Sequence, residues 1–461
     1  MIKMNRKMPA DFFWGNSVSS MQTEGAWDVE GKGLSVYDVR PATEITMDWH
    51  DAIDEYHPYD EDLDLMQALH MNMYRIQISW SRVNPEGDGE FNKAGIAFYD
   101  RLIDAMLARG ITPMICLYHF DMPLALAKRE NGFMSRHTVA AFVRFGQKII
   151  DHFADRVKYW ITFNEHNLYF TDEVFQISGY TQGERSLDDM YTIFHHTMLA
   201  HAQIDAYIHE HYADVKIGGM LAYAATYPAT AKPNDVFYTR KLDEFLNNNL
   251  NDAYTNGHYS HEVLTYIEQQ GINADMQDAD TAILAKMNAD FLAFSYYRTD
   301  TLNADKIPAG TPPNRYLNFA NEKNRFLDSN EWDWTIDPLG FRNVIASIYA
   351  RYQIPVFPIE NGIGLRENWD GQHMIMDDQR IDYHEAHIKA MKDAMFIDGA
   401  QVLGYLGWGL IDIPSSHADM EKRYGMVYVN RSNHDLKDLK RVPKKSFYWF
   451  QKVLEKNGDE L

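Results

Sequence analysis

Short apolar segments alternate with longer amphipathic segments along nearly the whole sequence, and this alternation constrains the fold more than any other feature. Eight segments have the apolar or alternating pattern of buried strands, namely 11–18, 73–80, 112–120, 157–165, 216–224, 291–297, 355–362 and 402–411. From the second onwards, each of them follows a segment with a helical pattern. Strands that alternate with helices in this way indicate a parallel sheet, and eight such units indicate a closed barrel.

Three of the intervening helices have boundaries that the sequence predicts. Apolar residues recur at helical spacing over 60–70, and a second helix is expected over 92–109, ended by Gly110. A third is expected to begin after the cap residue Ser135 and to cover 136–156. These helices supply the connections that parallel strands require.

The organisation of the chain follows from this regular alternation. No linker or low-complexity tract separates the units, so we expect residues 1–461 to form a single domain of the α/β class, a (β/α)8 TIM barrel. A composition of 45% hydrophobic and 24% charged residues is that of a globular protein with a sizeable core. The long stretches around 225–260 and 298–340 are expected to be loop insertions on the catalytic face.

The charge balance and the cysteine count limit which binding partners and which cellular compartment are expected. The formal net charge of −22 creates a field that repels nucleic acid and anionic membrane surfaces, so neither is expected as a partner. The single cysteine, Cys116, cannot form an intramolecular disulfide, and residues 1–7 contain no apolar signal core. We therefore expect a cytoplasmic protein that acts on a small molecule. The sequence leaves open whether it forms a homo-oligomer.

Two glutamates stand at the ends of predicted strands. Glu165 ends the segment 157–165, and Glu360 lies near the end of the segment 355–362. Because the carboxyl ends of barrel strands share one rim, the two carboxylates are expected to face each other across the barrel mouth. Cleavage of a glycosidic bond needs such a pair, since one group protonates the leaving oxygen while the other attacks or stabilises the anomeric carbon.

Other chemistries fit this arrangement less well. Phosphoryl transfer would also place acids at the rim, but Gly31-Lys32-Gly33 lacks the spacing of a phosphate-binding loop and indicates a plain turn. The segment His384-Glu385-Ala386-His387 has the wrong spacing for a zinc-binding helix and is interpreted as a solvent-facing surface. The sequence therefore predicts neither a metal nor a cofactor. A single glutamate could merely accept hydrogen bonds from loop amides, but two of them, each beside an asparagine, favour catalysis.

The motifs around these glutamates resemble those of glycoside hydrolase family 1. Thr162-Phe163-Asn164-Glu165 matches the family's acid/base motif, and Ile359-Glu360-Asn361-Gly362 matches its nucleophile motif. The likeness extends from Phe12-Phe13-Trp14-Gly15 to the C-terminal aromatic residues. The resemblance implies a (β/α)8 barrel and a retaining double displacement through a covalent glycosyl-enzyme, with Glu165 as acid/base and Glu360 as nucleophile.

Further positions match residues that the family uses around the cleaved bond. The resemblance implies that four of them hold the sugar, Gln22, His119, Asn164 and Trp408, and that two support the nucleophile, Arg75 and Tyr297, the latter beside the sugar as well. Amide, imidazole and guanidinium groups can bind hydroxyls or a carboxylate, and an indole offers a flat face to a sugar ring. Taken singly, His119 and Trp408 are explained equally well as core residues, so their shared position at strand ends favours the functional role.

The chain departs from the family pattern at three positions near these motifs. Phe120 stands where many members have tryptophan, and His166 follows the acid/base motif in place of proline. Ser295 replaces the usual asparagine two residues before Tyr297. None of these changes removes a catalytic group.

A loop after the last strand carries the residues on which the substrate prediction depends. Ser415 stands where ordinary β-glucosidases of the family have a glutamate that binds the O4 and O6 hydroxyls. Ser415, Lys422 and Tyr424 reproduce the spacing of the branch that acts on 6-phosphorylated sugars. A glutamate would repel a phosphate dianion, whereas hydroxyl, ammonium and phenol groups can donate hydrogen bonds to it. An ordinary exposed loop is the alternative, which the full spacing disfavours.

The resemblance therefore implies a 6-phospho-β-glucosidase that uses no cofactor. The nearest alternative is a 6-phospho-β-galactosidase. That branch usually has a tryptophan directly after the phosphate-binding serine. This chain has the small residue Ser416 at that position, which is also expected to lie in the substrate site. An unphosphorylated β-glucosidase is disfavoured by Ser415, and a sugar-binding protein on an inactive barrel is disfavoured by the presence of both glutamates. The sequence does not predict the aglycone.

Overall fold

The computed structural model describes residues 7–461, so the predicted lack of a signal core in residues 1–6 lies outside the described residues. Within that range the strands are β1 (Phe13–Ser17), β2 (Met73–Gln77), β3 (Thr112–Tyr118), β4 (Tyr159–Phe163), β5 (Lys216–Ala222), β6 (Ala225–Pro228), β7 (Phe291–Tyr296), β8 (Thr299–Leu302), β9 (Val356–Asn361), β10 (Gly404–Trp408), β11 (Val427–Val429) and β12 (Arg441–Pro443). Each of the eight predicted strand segments contains one of these strands.

Eight of the strands form one parallel sheet that curls into a nearly closed barrel. Their order is β10-β1-β2-β3-β4-β5-β7-β9, and every neighbouring pair is parallel. The sheet's two end strands meet at a parallel bridge between Val356 in β9 and Val402 just before β10. The predicted (β/α)8 barrel is therefore confirmed.

The interior of the barrel is filled by side chains that alternate along the strands. This inner cluster contains Met73, Met114, Cys116, Ile161, Met220, Phe291, Ala293, Phe357, Ile359 and Leu406. Residues two apart on one strand, such as Met114 and Cys116, point to the same face and so enter the same core. The cysteine is a fully buried core residue.

The helices of the described range surround this barrel or lie in its loops. They are α1 (Ser20–Thr23), α2 (Tyr59–Ala68), α3 (Trp80–Val83), α4 (Lys93–Ala108), α5 (Leu124–Glu130), α6 (Arg136–Phe153), α7 (Val174–Ile177), α8 (Leu187–His211), α9 (Pro233–Asp243), α10 (Asn249–Asn256), α11 (His261–Gln270), α12 (Asp280–Leu284), α13 (Leu317–Ala320), α14 (Pro338–Tyr352), α15 (Asp378–Phe396) and α16 (Lys445–Glu455). Among residues 7–461, no helix has the length and apolar character needed to cross a membrane.

The three predicted helices occur as α2, α4 and α6, with ends that local capping explains. The side chain of Asn92 accepts a hydrogen bond from the N–H of Ala94 at the start of α4, and Ser135 accepts one from the N–H of His137 at the start of α6. After α4 the chain turns at Gly110, whose φ of 73° is accessible to glycine at little cost.

The two long insertions contain regular structure of their own. Within 225–260 lie β6, α9, a π-helical segment (Glu244–Asn248) and α10, and within 298–340 lie β8 and α13. Strands β6 and β8 pair in parallel, starting from Ala225 opposite Thr299, which ties the two insertions together. The two insertions are therefore regular structures, paired with each other, on the rim of the barrel.

The segment from His384 to His387 does not form the solvent-facing surface that we predicted. Both histidines lie on α15 and are buried; His384 Nδ1 is 2.7 Å from the hydroxyl of Tyr405, and the His387 ring stacks on Tyr383 at a centroid distance of 3.9 Å. Burial lowers the pKa of both imidazoles, that of His387 to about 4. The prediction was wrong because a spacing of three residues puts both rings on the helix face that packs on the barrel.

Candidate active site

The residues that the sequence singles out meet at the carboxyl ends of the barrel strands. Glu165 follows β4 by two residues, Tyr297 follows β7 directly, Glu360 lies at the end of β9 and Trp408 ends β10. Glu165 has a left-handed backbone conformation with φ of 43°. This conformation is uncommon for a residue with a side chain, and such strain concentrates at functional sites.

Glu360 is held by a cation and a hydroxyl. Its Oε1 accepts a short hydrogen bond from Nη1 of Arg75, and its Oε2 accepts one from the Tyr297 hydroxyl at 2.9 Å. Nη2 of the same arginine donates to Oδ1 of Asn164 at 2.6 Å. Burial raises the pKa of Glu360, while the charge of Arg75 and both hydrogen bonds oppose that rise. An ion pair with a buried guanidinium favours the ionised form of this carboxylate and fixes its direction.

Glu165 has a different environment. It is partly exposed to the cleft, and its Oε1 accepts a hydrogen bond of 2.5 Å from the hydroxyl of Ser295. Burial, followed by the negative charge of Glu360, raises the pKa of Glu165 to about 8, against the opposing effect of Ser295. At neutral pH this carboxyl group is therefore mainly protonated, beside a partner whose ionised form Arg75 and Tyr297 favour, which is the division of roles that an acid and a nucleophile need.

Three further predicted residues are buried at or just beyond the carboxyl ends of β1, β3 and β10. His119 and Trp408 are buried, with ring centroids 5.5 Å apart, and Nδ1 of His119 has no hydrogen-bond partner within residues 7–461. Gln22 is also buried, but its carboxamide bonds to protein: Nε2 donates to the Pro414 carbonyl at 2.7 Å, and Oε1 accepts from Ser19 at 2.5 Å. Gln22 thereby fixes the start of the loop that carries Ser415.

The loop after β10, which we call the phosphate loop and define as residues 412–424, carries the predicted anion-binding groups. The buried Ser415 Oγ accepts from the N–H groups of His417 and Asp419, both at 3.3 Å, so its own hydrogen can be donated elsewhere. Ser416 is exposed, and within residues 7–461 its hydroxyl bonds only to the ring of His417, at 3.2 Å. The Tyr424 ring lies 6.1 Å from that of Tyr297, so the loop adjoins the nucleophile's partner.

Lys422 is a buried cation that forms no ion pair with the described part of the chain. No ion pair or hydrogen bond to its ammonium group is formed within residues 7–461; Nζ lies 3.3 Å above the Trp334 ring, a cation–π contact. Its methylene stem packs against Gly364, where a Cβ would lie 2.7 Å from Lys422 Cγ. Burial, with help from the charge of Arg298 and against the opposing charge of Asp419, lowers the pKa of Lys422 to about 8.

Two residues at this site were not found as functional candidates from the sequence. Ser295 was recognised only as a departure from a motif, although its hydroxyl contacts Glu165. Trp334 lies in the second rim insertion, and the signal that could have indicated it is the tryptophan pair at 332 and 334 in an acidic stretch. Arg298 also faces Trp334, with its guanidinium carbon 5.7 Å from the ring centroid.

A cluster of buried ion pairs holds the phosphate loop against the rest of the protein. Arg423, between Lys422 and Tyr424, pairs with Asp412 at 3.0 Å, and Asp412 also accepts from Lys444 at 3.1 Å. Lys444 and Arg380 share Glu367, at 2.5 and 2.8 Å. Truncating one partner of a buried pair leaves an uncompensated charge and typically costs about 3 to 5 kcal/mol. The loop therefore has a fixed conformation before any ligand binds.

Glu165 opens onto a cleft with a volume of about 840 Å³, which is also lined by Tyr297, the hydroxyl donor to Glu360. Glu165, Ser295, Tyr297, Trp334 and Ser416 are among its lining residues. Apolar side chains on the same walls come from several loops and include Ile45, Met47, Phe120, Leu168, Leu242 and Leu246. No group of three or more histidine, cysteine, aspartate or glutamate side chains within residues 7–461 is arranged to hold a metal ion.

Sequence comparisons with known proteins agree on one family. The sequence model of glycosyl hydrolase family 1 matches residues 4–459. The chain is 37% identical to the aryl-phospho-beta-D-glucosidase BglC of Bacillus subtilis (strain 168) over 98% of each chain, and 36% identical to the phospho-cellobiase of Klebsiella oxytoca over 99% of each. It is also 36% identical to the 6-phospho-beta-glucosidase of Dickeya chrysanthemi, over 99% of this chain and 100% of the relative.

Solved structures give the same picture of the fold. The family 1 β-glucosidase from Thermotoga maritima superposes with a TM-score of 0.86 at 28% identity, covering 98% of each chain. The complex of the Thermotoga maritima β-glucosidase with glucoimidazole superposes with a TM-score of 0.87 at 29% identity, over 98% of this chain and 100% of the other. The overall fold therefore agrees with that of these solved structures along almost the whole length.

Proposed function

Since the chain belongs to glycosyl hydrolase family 1, we propose that it hydrolyses 6-phospho-β-D-glucosides with retention of configuration, releasing glucose 6-phosphate and an aglycone. The aglycone would be the second sugar of phosphorylated cellobiose or gentiobiose, or an aryl group. The observation that carries the substrate assignment is Lys422, a buried ammonium group that forms no ion pair within residues 7–461. It lies on Trp334, whose ring contacts Tyr297, the hydroxyl donor to Glu360. Three of the relatives named above are themselves called phospho-glucosidases or phospho-cellobiase.

The first displacement uses both glutamates. Glu360 attacks the anomeric carbon while Glu165 gives its proton to the departing glycosidic oxygen, so the bond to the aglycone breaks as the bond to Glu360 forms. The raised pKa of Glu165, about 8, keeps that proton available at neutral pH. Arg75 and Tyr297 hold Glu360 in one direction for the attack.

The second displacement returns the enzyme to its starting state. Formation of the glycosyl ester removes the negative charge of Glu360, which was one of the causes of the raised pKa of Glu165. Glu165, now ionised, takes a proton from water, and the oxygen of that water attacks the anomeric carbon and displaces Glu360. Two inversions give net retention, and Glu165 regains the proton that it gave up.

Phosphate recognition follows from the charges of the loop. A phosphate dianion gains nothing from a protein of net charge −22 at long range, so its binding must rest on short-range donors. Lys422 supplies the charge, and the hydroxyls of Ser415 and Tyr424 supply further hydrogen bonds. Binding also gives Lys422 the counter-ion that it lacks among residues 7–461.

A parallel assay of three nitrophenyl substrates tests this proposal. The substrates are the β-glucoside, its 6-phosphate and the 6-phosphate of the β-galactoside. We expect the highest kcat/KM for the glucoside 6-phosphate, with release of glucose 6-phosphate of retained configuration. Equal or higher kcat/KM on the plain glucoside would refute the phosphate assignment, and a preference for the galactoside 6-phosphate would replace it by the galactosidase branch. Binding without turnover would identify an inactive barrel.

The proposed substrate also argues for a compartment. A sugar phosphate carries about two negative charges, and moving such a group through the apolar core of a bilayer is strongly unfavourable. An enzyme that consumes it must work where it is produced. We therefore propose that the protein acts in the cytoplasm.

A further inference from the structure

Two hydroxyl groups at the end of one strand contact the two glutamates. Ser295, the penultimate residue of β7 before Tyr296, contacts Glu165 Oε1 at 2.5 Å, and Tyr297 contacts Glu360 Oε2 at 2.9 Å. The two residues are separated by one position, so their side chains leave the strand on the same side. One strand end therefore supplies one O–H donor to each carboxyl group.

An irregularity in the sheet puts Ser295 in this position. Along β7 and β9 the register runs Phe294 opposite Pro358 and then Ser295 opposite Glu360, so that Ile359 has no partner across the ladder. Bulges of this kind redirect side chains and are frequent next to active sites. The extra residue brings the side chain of Ser295 level with Glu360 and within reach of Glu165.

We infer that Ser295 is a positioning residue for the acid/base group: its hydroxyl holds Oε1 of Glu165, so that the transferable proton is carried on Oε2, towards the leaving oxygen. This inference rests on the proposed acid/base role of Glu165. Oε2 accepts no hydrogen bond from any described residue, whereas Oε1 is occupied by the serine. A hydroxyl that already donates to Oε1 disfavours a proton on that oxygen.

The same hydrogen bond acts on the ionisation of Glu165. A donor stabilises the charged form of a carboxyl group and therefore lowers its pKa. At Glu165 it opposes the rise caused by burial and by Glu360. Ser295 thereby keeps the pKa close enough to neutrality for the group to act as an acid in the first displacement and as a base in the second.

The distinguishing experiment is the pH dependence of kcat/KM in Ser295→Ala. Because the free enzyme must carry the proton on Glu165, kcat/KM falls as pH rises through the pKa of that group. Losing the donor raises this pKa, so the alkaline limb should move to higher pH by about one to two units. The loss of kcat/KM at pH 7 should be larger for substrates with poor leaving groups, which depend most on a correctly directed proton.

Two variants separate positioning from a structural effect. Ser295→Thr keeps the hydroxyl and should keep the alkaline limb of the unmodified enzyme. Ser446→Ala removes another buried serine that donates to a carboxylate at 2.5 Å, in this case Asp377, outside the cleft. It should lower stability to a similar degree and leave the pH profile unchanged. Thermal unfolding of all three variants gives the comparison of stability.

The inference is overturned if the alkaline limb of Ser295→Ala coincides with that of the unmodified enzyme, or if Ser446→Ala moves it equally. Failure of the substrate proposal would look different. The limb is followed on the plain nitrophenyl glucoside, whose kcat/KM does not depend on the charge of Lys422, so that it reports the ionisation of Glu165. A protein that preferred the plain glucoside would contradict the phosphate assignment while the shift of the limb still tested Ser295.

Discussion

The catalytic carboxylates and the phosphate loop both contain buried charges, but they compensate them in opposite ways. Glu360 has its counter-ion in the protein, since Arg75 and Tyr297 both bind it. Lys422 is almost as buried, yet it lies on the face of Trp334 and forms no ion pair within residues 7–461; the charge of Asp419 acts on it only from a longer distance. The charge of Glu360 is paired within the protein before substrate binds, whereas the charge of Lys422 is paired only when an anion binds.

This difference separates the chemistry from the choice of substrate. The catalytic pair needs fixed directions, which Arg75, Ser295 and Tyr297 supply through hydrogen bonds. It also needs unequal pKa values: burial and the charge of Glu360 raise the pKa of Glu165, whereas Arg75 and Tyr297 lower that of Glu360. The loop needs affinity for a dianion, which an internal salt bridge would weaken because the phosphate would have to displace the carboxylate. Changes in the first region should therefore affect all substrates, and changes in the second only phosphorylated ones.

The largest effect is expected from Glu360→Ala. Removal of the nucleophile should lower kcat/KM by more than about 10⁴-fold for phosphorylated and plain glucosides alike. Added azide should restore part of the turnover, because the space left by the side chain admits a small anion, and its single displacement gives a product of inverted configuration. Glu268→Ala, on the exposed face of α11, is the matched control. A rescued product of retained configuration, or a loss confined to phosphorylated substrates, would contradict the assignment.

Glu165→Ala should have a smaller effect that depends on the leaving group. General acid catalysis typically contributes about 10²- to 10⁴-fold, and it matters least when the leaving group needs no proton. We expect the first displacement to fall little for dinitrophenyl substrates and strongly for unactivated glycosides. Rates of single turnover across a series of aryl substrates measure this dependence. An equal loss across the series would exclude the acid role.

Much of the barrel and its catalytic centre could be predicted because local pattern determines them. Apolar strands such as β3 and β9 can be predicted from their composition, and Glu165 and Glu360 lie in recognisable motifs at strand ends. The relations that were missed depend on tertiary placement. Ser295 reaches Glu165 through a shift of register, and Trp334 reaches Lys422 from a distant insertion; neither is visible in sequence spacing.

The burial of the histidines of α15 was also missed because it depends on tertiary placement. Their polar character suggested exposure, but aromatic neighbours and the position on the helix bury them. The assignment of residues 1–461 to a single domain, the exclusion of nucleic acid and membrane partners, and any homo-oligomer stay predictions. They concern surfaces and assemblies, on which the contacts inside one barrel do not bear.

Lys422→Ala should separate the two regions directly. Loss of one charge-assisted hydrogen bond typically costs about 1.5 to 3 kcal/mol, or roughly ten- to a hundredfold in kcat/KM. This loss should fall on the glucoside 6-phosphate and leave the plain glucoside nearly unchanged. Lys389→Ala, an exposed lysine on α15, serves as the control for loss of one positive charge. If both substrates lost activity equally, the phosphate would bind elsewhere.

The smallest effect is a pH dependence of selectivity, measured as the ratio of kcat/KM for the glucoside 6-phosphate to that for the plain glucoside. Both substrates need the same protonated Glu165, so the ratio cancels its titration and reports the phosphate loop alone. The pKa of Lys422 is lowered to about 8 by burial, so the ammonium form is complete below that pH and is lost above it. The phosphate is a dianion above about pH 6.

The ratio should therefore be highest between about pH 6 and 8 and should fall by up to about tenfold per unit above pH 8. The fall should stop at the level of Lys422→Ala, in which the ratio should not change over the same alkaline range. Lys422→Arg should keep the ratio high at alkaline pH, since a guanidinium group does not titrate there. A fall that persisted in Lys422→Ala would show that another group titrates, and the uncompensated ammonium would then not be the source of phosphate selection.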